Sequence, residues 1–70
     1  MKLKFAERLK ELRIDANLSQ KQLSINLNRR IDQAAIARWE QGLRTPNLES
    51  AMILAEYFGV SLDYLAGLED

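Results

Sequence analysis

The sequence has no cysteine and no histidine. Without cysteine there is no disulfide framework, and without either residue there is no ordinary zinc site, so a domain of 70 residues must hold together by core packing alone. Period-two runs of β-branched residues are missing too, which removes the signature of a half-buried strand. No N-terminal stretch is free of charge for long: MKLKFAERLKELR carries a Lys, Arg or Glu every two or three residues. That segment is neither the apolar core of a signal peptide nor a membrane span. A Gly-rich phosphate loop, a His- or Cys-based nucleophile pair and a metal-ligand cluster are also absent, so catalysis has no visible equipment and no cofactor or metal is expected. These absences point to a non-enzymatic, cytosolic protein.

Positive charge is missing from one half. All ten Lys and Arg lie at or before Arg44; residues 1–44 set them against five acids, and residues 45–70 hold five acids and no base. The net charge of zero therefore conceals a split of +5 and −5. Neutrality lowers affinity for phosphates in general, whereas the split leaves one end able to face a polyanion.

What is present is helix-period patterning rich in Leu, Ile and Ala, and the expected class is all-α. The spacing predicts a first helix from about Lys2 to Ala16, with Phe5, Leu9, Leu12 and Ala16 on its buried stripe and Lys4, Glu7, Arg8, Glu11 and Asp15 outside it. Asn17 ends it, since asparagine tolerates the left-handed conformation. Ser19 caps a second helix, with Gln22 completing a capping box and Leu18 stapled to Leu23. Leu23 and Leu27 face inward, Ser24 marks a close backbone approach, and Asn28 stops the helix. Asp32 caps a third, with Ile31 stapled to Ile36. On this helix Ile36 and Trp39 point one way, and Gln33, Ala34, Ala37, Arg38 and Gln41 fill the opposite arc.

Gly42 closes the third helix, and Leu43-Arg44-Thr45-Pro46 is a loop. Asn47 caps a fourth helix reaching about Phe58, apolar around so much of its circumference that it is expected to be the central buried helix. Gly59 ends it. Ser61, with Val60 stapled to Leu65, starts a last helix from Leu62 to about Ala66. Leu62, Leu65 and Leu68 exceed what so short a helix needs to dock, so either they close the bottom of a small core or they form a dimer contact. No repeat, low-complexity tract or linker interrupts residues 1–70, which are read as one domain.

This order, with Leu18-Ser19-Gln20, Trp39-Glu40-Gln41-Gly42, Arg44-Thr45-Pro46 and Phe58-Gly59-Val60-Ser61-Leu62-Asp63-Tyr64-Leu65 in register, resembles the phage repressor and Cro family of helix-turn-helix proteins, the XRE family. The resemblance covers nearly the whole chain. It implies a compact five-helix, lambda-repressor-like domain with its helix-turn-helix at about residues 19–41. It further implies a bacterial or phage-encoded cytoplasmic regulator of transcription, read as a repressor, that binds a palindromic operator in double-stranded DNA as a homodimer. On that pattern Gln33, Ala34, Ala37 and Arg38 read bases, Gln20 contacts a phosphate and Arg44 lies in a loop that touches backbone; Lys21 and Gln41 are read as further phosphate contacts, and Arg29 and Arg30, in the lengthened turn, either add phosphate contacts or are solvated. Arg13 and Glu40 match a structural ion pair.

Two departures from the pattern stand out. The turn between the Leu27 and Trp39 positions holds two residues more than usual, and Ser24 and Asn28 stand where alanine and glycine are usual. A competing reading is a protein-interaction module such as an antitoxin, favoured by zero net charge and by two alanines on the reading face. A protein partner or a C-terminal effector domain fits either reading.

Overall fold

The computed structural model describes residues 4–68. Five helices and no strand occur among the described residues: α1 (Phe5–Asp15), α2 (Gln20–Asn26), α3 (Gln33–Glu40), α4 (Leu48–Phe58) and α5 (Leu62–Ala66). The expected all-α, five-helix architecture is what the chain adopts.

Each helix boundary has a local cause. Ser19 Oγ accepts from the Gln22 amide at 3.0 Å and Gln22 Oε1 accepts from the Ser19 amide at 2.7 Å, a complete capping box. Asp32, Asn47 and Ser61 accept in the same way from Ala35, Ser50 and Tyr64. Every such bond satisfies an N–H that the first helical turn leaves without a partner, at about 1 kcal/mol each. At the other ends all five helices close alike, on a left-handed residue: Asn17, Asn28, Gly42, Gly59 and Gly67. The paired backbone bonds of that closure are present at each, for example Asn17 N to Ile14 O (2.9 Å) with Leu18 N to Arg13 O (3.1 Å). Gly67 carries a second constraint, because a β-carbon there would lie 2.6 Å from Lys4 Cβ. Lys4 N also donates to Ala66 O at 3.0 Å, so the two ends of the described chain meet.

The start expected at Lys2 lies outside the described residues. Lys4, though, is not helical and precedes the first helical residue, Phe5. Ala16 is a correction: it caps α1 and is exposed, while Phe5 and Leu9 are buried and Leu12 is half-buried. The core gathers Phe5 and Leu9 with Leu23, Leu27, Ile31, Ile36, Trp39, Leu54, Ala55 and Leu65. Phe5 meets Trp39 edge-on with ring centroids 6.0 Å apart. In this arrangement α3 packs on both α1 and α2, and α5 on both α1 and α4.

The expectation that α4 is the central buried helix is overturned. Only Leu54 and Ala55 on it are buried, while Leu48 is 68% and Met52 52% exposed. A helix apolar on most sides is buried only where enough partner surface exists, and a chain of 70 residues has too little to cover it all round.

Candidate nucleic-acid interface

Two helices, one turn and one loop present the candidate surface. Along α3, Gln33, Ala34 and Arg38 are exposed and Ala37 is half-buried; Gln41 follows, exposed, at its end. Ile36 and Trp39 on the opposite side sit in the core, so the polar arc is mounted on a rigid base. Lys21 on the first turn of α2, Arg29 in the α2–α3 turn and Arg44 in the α3–α4 loop are exposed cations.

Glu40, at the end of α3, fixes the orientation of this helix. Arg13 grips it with two bonds, Nε to Oε2 at 2.7 Å and Nη2 to Oε1 at 2.8 Å, and spends Nη1 on Leu18 O at 2.9 Å. The side chains of Arg13 and Glu40 are 12% and 5% exposed. Burial alone pushes the Glu40 carboxyl up, but hydrogen bonds from Arg13 and Gln20 and the charges of Arg13 and Lys10 outweigh it, leaving the group below its ordinary value. The hydrogen bond to Glu40 correspondingly raises Arg13, against the opposing cost of burial. Both ends of the pair therefore hold their charge throughout the neutral range.

Gln20, which the resemblance gives to a phosphate, donates from Nε2 to Glu40 Oε1 at 3.2 Å and so joins the start of α2 to the end of α3. One of its two amide hydrogens is committed there. Arg30 lies on the α4 side of the turn. It is exposed, donates from Nε to Leu27 O at 3.5 Å, and lines a groove between the end of α2 and α4 whose walls also carry Glu49 and Glu56.

In the lengthened turn Asn28 and Arg29 are both left-handed, at φ 57° and 58°. Ser24, buried, donates from Oγ to Ile31 O at 2.7 Å and holds the turn from below. Leu65 corrects the dimer-contact expectation: at 1% exposure it is core, whereas Leu62 and Leu68 are exposed. The three leucines divide because α5 docks on α1 and α4 with one side only.

Sequence reasoning missed two ties. Arg8, expected outside the buried stripe, is half-buried; it donates from Nη1 to Tyr64 O at 3.1 Å and lies 4.1 Å over the Tyr64 ring, joining α1 to α5. Asn26 Nδ2 donates to Tyr57 Oη at 3.0 Å, joining α2 to α4. No local spacing announces contacts between such distant residues. Among the described residues no helix is long and apolar enough to cross a membrane, and no three His, Cys, Asp or Glu side chains converge as a metal site would require.

The comparisons with known proteins agree with this architecture. The HTH_3 helix-turn-helix family model matches residues 9–65. The HTH-type transcriptional activator BcrR of Enterococcus faecalis is 37% identical over 68 residues, which are 97% of this chain and 32% of BcrR. The crystal structure of a transcriptional regulator from Listeria innocua superposes with a TM-score of 0.85 at 30% identity, covering 100% of this chain and 64% of that one. The chain thus spans about a third of the curated relative's length and under two thirds of the solved chain. Because the family match runs from α1 to α5 in unbroken order, the chain belongs to the HTH_3 family of XRE-type helix-turn-helix DNA-binding transcriptional regulators.

Proposed function

We propose that this chain binds a palindromic operator as a homodimer, with α3 in the major groove, and represses transcription from the cytoplasm. The observation that supports this best is the polar arc of α3 standing on a buried Ile36–Trp39 base and locked at its end through Glu40. Lys21, Arg29 and Arg44 position the domain on phosphates, and Gln33, Ala34, Ala37 and Arg38 specify. Gln33 pairs two-pronged with adenine, Arg38 with guanine, and the alanine methyls pack on thymine methyls. Each good pair discriminates by about 1–3 kcal/mol. Leu62 and Leu68 supply the dimer contact beside a cavity of about 350 Å³ that Phe5, Pro46 and Ala51 also line; among the described residues Asp63 is the one charged member of the lining. Repression needs only occupancy of the DNA. Activation is the second reading, favoured by the relative named as an activator, and it requires a protein contact in addition.

Selection of bound duplexes from a random pool at low salt, repeated with Gln33→Ala and Arg38→Ala, tests the reading. The parent enriches an inverted repeat with half-sites about one helical turn apart, and each variant relaxes preference at particular positions. No enrichment at any salt overturns operator binding; enrichment of a single half-site overturns the dimer.

A further inference from the structure

An open groove of about 560 Å³ runs between the end of α2 and α4, and its walls include Leu48, Met52, Ile53 and Tyr57 together with Glu49 and Glu56. Scattered apolar surface residues need no explanation, but here they share one concavity. Leu48, Met52 and Tyr57 are 68%, 52% and 40% exposed. Leu48 and Met52 stand one turn apart on the same face of α4. The walls are tied together by the Asn26–Tyr57 hydrogen bond, so the groove is a preformed feature. None of the base-reading residues lines it, and of the residues assigned to phosphates only Arg30 does, at one edge.

We propose that this groove docks an amphipathic helix of a partner protein whose apolar ridge is flanked by Lys and Arg. Charge decides the occupant. Residues 45–70 contain no base, and the described part of that half carries Glu49, Glu56 and Asp63. The groove lining carries two carboxylates, Glu49 and Glu56, against one cation, Arg30. A second copy seated here across a two-fold axis brings one net-negative lining against another, and like charge across an interface disfavours a partner. A nucleic acid is refused by the same sign. A cationic helix satisfies both halves of the lining: its apolar ridge fills the groove in the helix-in-groove mode and its cations meet the carboxylates. The apolar anchors supply affinity, and the charges supply register and encounter rate.

Amide spectra of the labelled protein, titrated with two synthetic peptides, test this. Both peptides are about four helical turns long with leucines at helical spacing; one has Lys on its flanks and the other Glu. The Lys peptide is expected to give saturable shifts confined to the groove residues. In Glu49→Lys/Glu56→Lys, and separately in Met52→Lys, its affinity is expected to fall at least about tenfold while the rest of the spectrum is unchanged. Equal binding of the Glu peptide, shifts spread beyond the groove, or no saturable binding overturns the proposal. Shifts at these residues that follow protein concentration without peptide overturn it in favour of a second copy.

Discussion

The turn from α1 to α2 and the turn from α2 to α3 begin in the same way and then part. Each helix stops on a left-handed asparagine, Asn17 or Asn28, with the same paired backbone bonds. Each also uses the residue three before its cap, Arg13 in α1 and Ser24 in α2, both to accept from the turn and to donate a side-chain bond back to it. In the first turn the donor reaches Leu18, one residue past the asparagine. In the second it reaches Ile31, three residues past. The extra length is absorbed by a second left-handed residue, Arg29, and by one hydroxyl. Ile31 thereby returns to the core and Asp32 arrives where it can cap α3. The longer turn and the serine at position 24 are one feature, because a longer turn presents a buried carbonyl that alanine could not satisfy.

The largest test of that pairing is Arg13→Ala. It removes the donor to the first turn and strands the buried Glu40 carboxylate, at about 3–5 kcal/mol. A domain of this size has a total stability of about 4–10 kcal/mol, so the variant should lose a large share of it, read as a thermal midpoint well below the parent's. A loss below about 1 kcal/mol would show that the first turn does not depend on Arg13.

The same pair sets an acid limit. Glu40 is held below its ordinary value of 4.5, so its contribution is complete above that pH and is lost as pH falls through the lower folded value. Urea midpoints should drop in that window, and the gap between parent and Glu40→Gln should narrow there; a constant gap would contradict the linkage.

Ser24→Ala comes next. It leaves the Ile31 carbonyl without its donor, at about 1–3 kcal/mol, read as a lower urea midpoint at unchanged slope. An unchanged midpoint would break the link between serine and turn length. Asn28→Ala and Asn17→Ala should each cost about 1–2 kcal/mol, and near-equal values would sharpen the claim that the two closures are alike. The smallest effect has the opposite sign. Arg29→Gly relieves a left-handed arginine and loses part of the gain to unfolded-chain entropy, for a net rise in thermal midpoint worth less than about 1 kcal/mol. A fall would refute the strain.

Much of the fold could be read before any coordinates because its signals are local. Ser19 with Gln22, Asp32, Asn47 and Ser61 act within three residues, and the left-handed asparagines act within a single turn. The division of α3 into Ile36 and Trp39 on one side and Gln33, Ala34, Ala37 and Arg38 on the other is likewise a matter of helical period. Arg29 was not readable, since arginine carries no preference for positive φ and only the geometry of the longer turn imposes it. Leu62, Leu65 and Leu68 look alike at their spacing, and only the docking of α5 separates the buried one.

The sequence by itself determined where helices start and stop, which arc of α3 is polar, and how charge is divided along the chain. Those properties depend on neighbours a few residues away. The tertiary structure decided which apolar side chains are covered and which cations are spent inside the fold. Arg8 meets Tyr64 across 56 positions and Asn26 meets Tyr57 across 31, and α4 keeps Leu48 and Met52 in solvent for want of a neighbour. Burial and pairing are set by what lies across space, and local pattern carries no record of it.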